Sequence, residues 1–414
     1  MRRSLKVKWN KELIIAILFF GPQINYYLAA LCSLNGLATP SLMVYALLYS
    51  LGIFSYFVTL RFLKSFCAFA FFVLSVSVSV LFNDKVITYM FAGTVFQSGI
   101  VVLVLLYFPM FLLLITEFDY EKLMKFLIPF SRTTLIVAII AFFDYLKVNR
   151  STTPDYMSFA YMMLTPILIC FIVGVKGHVV DRILSIIGSF VIFVVGCRGA
   201  VVSLAAFFLL YILYFYLPKR EQKSSWGKLV LIPILLSVVV FFEKILVYIS
   251  LGLEKIGFSS RTVNKLLAGT DAFVESEGRK TIWDQAMNNI GIIGKGLFGD
   301  RTVLVDEYSR SVYAHNFALE ILIDFGLLIG SILLLIMLVI IVRVFILSLK
   351  SQSLLRINLL FVAISILLVK HMLSASFLTS FDFWFYMGML LNMLFNMDSI
   401  EFQSNLVTKE VDGQ

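Results

Sequence analysis

The sequence predicts an all-α polytopic membrane protein of about 12 transmembrane helices, with one large periplasmic loop and cytoplasmic N- and C-termini. Three observations predict it. Of 414 residues, 60% are hydrophobic and 14% charged, whereas soluble domains run at roughly 45–50% apolar and about 25% charged. The apolar residues form continuous runs instead of alternating with period two, which excludes an outer-membrane barrel. The lysines and arginines gather on one side of those runs. The same composition excludes disorder, collagen and a small disulfide-stapled domain.

Taken in order, the runs between charge clusters are 12–33, 40–60, 65–82, 95–116, 126–146 and 156–175, followed by 183–197, 199–217, 229–249, 315–342, 357–377 and 380–397. The first follows a basic head and ends near Cys32, but Leu31 stands where a lipoprotein cleavage site needs a small residue, so it reads as an uncleaved span. Residues 86–98 fit either a re-entrant piece or an early start of the fourth span. With the N-terminus inside, nineteen Lys and Arg fall on the cytoplasmic side against four in the short outer loops. The net charge of +9 is thus a topology signal, and no nucleic-acid partner is expected. Cys32, Cys67, Cys170 and Cys197 each sit in apolar runs without a CxxC partner and read as small hydrophobes between helices.

The chain therefore divides into helices 1–9 (1–249), an outer loop (250–314), helices 10–12 (315–397) and a cytoplasmic tail (398–414). Ile282, Trp283, Ala286, Met287 and Ile290 mark one face of an amphipathic helix within the loop. Glycines 291, 294, 296 and 299 then break it.

Charge beside a membrane span is costly and marks candidates. Arg198 lies between Gly196 and Gly199 at a junction with almost no loop, and a guanidinium fork matches phosphate oxygens. A snorkelling helix-end arginine would look the same. His315, where the loop re-enters the membrane, is suited to acid/base work near neutral pH, or is a helix-start residue held by backbone. Of the loop arginines 261, 279, 301 and 310, Arg279 opens the amphipathic helix, and most other loop charges read as a solvated face. Trp283 reads as packing the loop onto the bundle. Lys370, His371, Asp382 and Trp384 form a second tier. There is no GxxxxGK[ST], HExxH or GxSxG and no His/Cys cluster, so neither a nucleotide domain, a metal site nor a cofactor is expected.

Gly196-Cys197-Arg198-Gly199-Ala200, Gly278-Arg279 with Trp283, Gly294-x-Gly296-x-x-Gly299 and Tyr313-x-His315-Asn316 with Glu320, in this order and topology, resemble the O-antigen polymerase and O-antigen ligase superfamily of bacterial inner membranes. The likeness is detailed over roughly 155–345 and only topological elsewhere; Cys197 stands where many members have serine. It implies a metal-independent membrane glycosyltransferase with its active site facing the periplasm. The donor and acceptor would be oligosaccharides on undecaprenyl diphosphate, and a chain-length regulator could assist. It implies diphosphate binding by Arg198, Arg279 and Arg310 and catalysis by His315 and Arg279. Richness in Phe, Ile and Lys inclines the reading to a polymerase that joins repeat units. The alternatives are a ligase acting on lipid A core and, further off, a flippase of lipid-linked oligosaccharide.

Overall fold

The computed structural model describes residues 10–35, 37, 41–91, 99–116, 118–147, 156–216, 247–248, 250–252, 255, 267, 279–306, 308–351 and 353–395. Among them the helices are α1 (Lys11–Leu34), α2 (Ser41–Thr59), α3 (Leu63–Phe82), α4 (Lys85–Met90), α5 (Gly99–Ile115) and α6 (Tyr120–Lys147). They continue as α7 (Tyr156–Val175), α8 (Val179–Val195), α9 (Arg198–Tyr216), α10 (Arg279–Asn289), α11 (Phe317–Ser351), α12 (Leu354–Ser374) and α13 (Phe381–Phe395). The described residues hold no strand beyond an isolated antiparallel bridge between Val305 and Ser311.

Eight of these helices are long and apolar enough to cross a membrane: α1, α2, α3, α6, α7, α9, α11 and α12. The apolar helices α5 and α13 are shorter. α8, of 17 residues, fills the place of the seventh expected span. Residues 229–246 of the ninth, Arg261 and the tail lie outside the described residues. The ambiguous stretch resolves into the short α4, with 92–98 outside the described set. Residues 103–107 of α5 and 365–370 of α12 form π turns.

Burial separates the centre from the rim. The most apolar windows of α7 and α12 are 78% and 72% buried, against 17% for α3, whose Leu63, Phe66, Phe71, Leu74 and Leu81 face outward. A surface this apolar is stable only against lipid. Polar ties cross the centre: the Tyr27 hydroxyl donates to the Phe159 carbonyl (2.6 Å) and Tyr386 meets Thr165 (2.9 Å). Each keeps a buried polar atom satisfied where water is absent. Cys170 and Cys197 are buried as expected, whereas Cys67 is exposed and Cys32 half-buried.

One end of the bundle gathers basic residues. Lys11 donates to Thr116 Oγ1 (3.2 Å), Lys64 lies over the Phe395 ring (4.6 Å) and Arg356 over Tyr120 (5.5 Å). The opposite ends of α12 and α13, together with the start of α7, carry the site.

The loop before α11 has its own small core. Ile282 and Ala286 of α10 pack with Leu304, Ala314 and Ile323. Met287, expected on that face, is 62% exposed; at 100° per residue it lies one step past the buried stripe of 282 and 286. α11 is broken at Gly326 (φ 79°). There the chain crosses the turn at 291–294 so closely that any Cβ would collide with the Ile292 carbonyl oxygen. The crossing is tied by Leu327 N–H to Gly291 O (2.8 Å). Only glycine combines that backbone angle with that approach.

Candidate functional site

The site is built where the end of the loop meets the start of α11. Asn316 caps α11, its Oδ1 accepting the N–H of Ala318 (3.0 Å) and Leu319 (3.2 Å). Just before the cap, His315 adopts a left-handed backbone (φ 52°), which costs a non-glycine residue about 1–2 kcal/mol. The turn throws its ring against that of Tyr313, centroids 4.0 Å apart.

What holds this turn is a network the sequence reading placed elsewhere. Arg301, grouped there with solvated charges, has only 13% of its side chain exposed and pairs with Asp300 (3.1 Å) and Glu320 (3.6 Å). The Asp300 carboxylate accepts the Ala314 N–H (3.0 Å), fixing the residue between Tyr313 and His315. Asp324 accepts the N–H groups of Phe298 (3.2 Å) and Asp300 (3.0 Å). Glu320 reaches across to the link between α12 and α13, accepting from Ser376 Oγ and from the Phe377 N–H (3.0 Å). The oxygens of Asp300, Glu320 and Asp324 lie within 4.8 Å of one another. Burial raises the Asp300 carboxyl above its ordinary range, and Arg301 opposes that rise. Burial would lower the Arg301 guanidinium, but Asp300, Glu320 and Asp324 outweigh it and hold Arg301 charged.

Arg279, the first residue of α10, lies within electrostatic reach of His315, Tyr313, Tyr161 and Cys197. Four segments far apart in the chain thus share one locale. Arg198, half-buried, opens α9 beside Cys197. On its other side Gly199 is needed because the Tyr161 hydroxyl occupies the space a Cβ would fill. Arg310 is spatially distinct in its contacts. Its side chain is 71% exposed, pairs with Asp306 (2.7 Å) and lies over Tyr308 (4.9 Å). Hydrogen bonding from Arg310 holds the Asp306 carboxyl below its usual range.

Burial, then Arg279 and Arg301, lower the His315 imidazole from 6.5 to about 4. The ring is therefore neutral at physiological pH, not poised near it as expected from the sequence. Its Nδ1 is buried with no hydrogen-bond partner among the described residues. A neutral imidazole with a free ring nitrogen can accept a proton. Burial likewise raises Tyr313 to about 12, so its hydroxyl keeps its proton.

Beneath Tyr313 opens a cavity of about 180 Å³ between the start of α7, Tyr107 of α5 and the α12–α13 link. Lys370 lines it and pairs with Asp382, both almost fully buried. His371 is satisfied by the Ile366 carbonyl (2.8 Å) and Ser380 Oγ (2.9 Å), a structural role. Trp283 is only half-buried, and its indole nitrogen finds no partner among the described residues.

Fold and site together define a multi-helix membrane protein with a cationic, hydroxyl-rich site at one end of its bundle. The family model described as O-antigen ligase matches residues 183–335, consistent with the O-antigen polymerase and ligase superfamily. Members of that family are membrane glycosyltransferase-like enzymes. The matched segment runs from α8 through the loop to the middle of α11, and so includes Arg198, Arg279, the carboxylate network and His315. No curated protein and no solved structure matches the chain.

The sequence reading did not single out Asp300 or Asp324. Asp324 carried a signal, a carboxylate inside the apolar run 315–342.

Proposed function

We propose that this protein is an O-antigen polymerase, joining repeat units carried on undecaprenyl diphosphate at the periplasmic face of the bacterial inner membrane. The observation that carries the reading is that Arg279 acts electrostatically on His315, on Cys197, and on Tyr161 and Tyr313, two residues that line the cavity. Arg198 and Arg279 are each the first residue of a helix. A cation there opposes the helix dipole by about 0.3–1 kcal/mol. Two such placements favour a bound anion, for which helix N-termini and guanidinium forks are both suited.

In the proposed reaction an acceptor sugar hydroxyl attacks the anomeric carbon of the donor. A C–O bond forms there as the bond from that carbon to the diphosphate oxygen breaks, and the electron pair leaves with the diphosphate. Arg279 and Arg198 stabilise the departing charge. The hydroxyl proton passes to His315 Nδ1. The step as proposed is metal-independent, and Arg310 sits at the periphery. The topology that serves this reaction has about 12 spans, the basic bundle end in the cytoplasm and the loop outside.

The ligase reading has a specific observation behind it, since the matching family model is described as O-antigen ligase. Deletion of the gene separates the two. Loss of a polymerase leaves core carrying a single repeat unit, whereas loss of a ligase leaves bare core. Donor stranded on the cytoplasmic leaflet would instead indicate a flippase and overturn both.

A further inference from the structure

The cavity within electrostatic reach of Arg279 has a chemistry of its own. Eight of its thirteen lining residues carry a hydroxyl, among them Tyr161, Tyr313, Ser374, Ser376 and Ser380. Its one cation, Lys370, is offset by Asp382 and lies over the rings of Tyr161 (5.2 Å) and Phe381 (5.7 Å). An offset charge is poorly suited to holding a phosphate. Hydroxyls that both donate and accept, set between aromatic faces, match a polyol ring with its own hydroxyls and C–H faces. The Tyr161 side chain, 7% exposed, sets its hydroxyl close to Ser374 and Cys197. At about 180 Å³ the cavity is smaller than the roughly 300–1,000 Å³ of drug-sized ligand sites, which limits it to a single ring.

We propose that this cavity seats one sugar residue of the carrier-linked glycan, with Lys370, steered by Asp382, donating to its oxygens. The inference rests on the proposed function, in which Arg279 holds the diphosphate. It adds a division of labour: arginine beside the cavity for the anion, and the Lys370 pocket for the sugar. Lys370 and Asp382 are then positioning and specificity residues.

The test compares two ligands on the purified full-length protein in detergent. One is bare undecaprenyl diphosphate, and the other is the lipid-linked saccharide extracted from a strain lacking this gene. The wild type should bind the saccharide-bearing carrier at least about tenfold tighter, about 1.4 kcal/mol. Lys370→Gln should reduce that preference to near unity while keeping affinity for the bare carrier. Because removing one partner of a buried pair can unfold a protein, Thr379→Trp provides a second variant. Thr379 lines the cavity but is exposed, so the indole fills the space without disturbing the core. An unchanged preference in Thr379→Trp, or no preference in the wild type, overturns the sugar pocket and leaves the diphosphate reading intact. Failure of the wild type to bind the bare carrier overturns the diphosphate reading itself.

Discussion

The rings of Tyr313 and His315 meet at a tilt of 40° with centroids 4.0 Å apart, and the backbone N–H of Ala314 between them is held by the buried carboxylate of Asp300 (3.0 Å). A residue lining the cavity and the proposed base are thus fixed as one unit, anchored to a fully buried carboxylate. This coupling explains why a short motif before α11 depends on acidic residues scattered over 24 positions, from Asp300 to Asp324.

Asp300→Ala should therefore impair activity without removing the protein from the membrane. It leaves the Ala314 N–H unsatisfied and strips Arg301 of a partner. Removing one side of a buried pair typically costs about 3–5 kcal/mol. Thermal unfolding in detergent should show a clear drop in midpoint, with glycan synthesis lost in parallel. An unchanged midpoint would mean that the network does not hold the turn.

Arg279→Ala should lower turnover by about a hundredfold or more, the usual consequence of removing one group that stabilises developing negative charge. Arg279→Lys should restore only part, because an ammonium lacks the planar fork that grips two phosphate oxygens. Turnover measured on lipid-linked repeat unit checks both; full activity in the lysine variant would argue for a simple charge effect.

The pH dependence follows from His315. Its folded value of about 4 lies below the ordinary 6.5, so between these values the unfolded chain binds more protons than the folded one. The contribution of this group to stability is complete above pH 6.5 and declines as pH falls toward 4. In activity, the acid limb of kcat/KM for the free enzyme should lie near pH 4, not near 6.5. Arg279→Gln removes one of the cations that lower His315 and should move that limb upward in whatever activity remains. A limb near 6.5 in the wild type, absent from His315→Ala, would show that the imidazole is more open to water than its burial indicates.

Gly326→Ala should undo the seating of the loop. The left-handed angle alone costs a residue with a Cβ about 1–2 kcal/mol, and the new methyl would meet the Ile292 carbonyl. Limited proteolysis should cut the 279–306 region faster in this variant, with the membrane helices left intact.

Much of this was legible in the sequence, and the reasons for the rest are physical. Long apolar runs located α1, α7 and α12 because a helix in lipid must satisfy its own backbone and carry apolar side chains throughout. His315 and Arg279 stood out as candidates because charged groups beside membrane spans are rare. Arg301 was not, since its burial depends on Asp300 next door and Glu320 on another element, and a charge run in a loop reads the same whether solvated or paired. The Lys370–Asp382 contact was half visible: each residue stood out singly, but their pairing needs the turn at 375–380 to fold back. The lowered His315 value was invisible too, because burial and two arginines from separate segments produce it.

The proposed reaction turns on Arg279 acting on a carrier diphosphate beside this cavity. Its most direct measurement is the glycan profile of a deletion strain complemented with wild type or with Arg279→Ala at equal membrane abundance. A full ladder with wild type, and core bearing a single repeat unit with Arg279→Ala, is the predicted result; a full ladder with Arg279→Ala would contradict it.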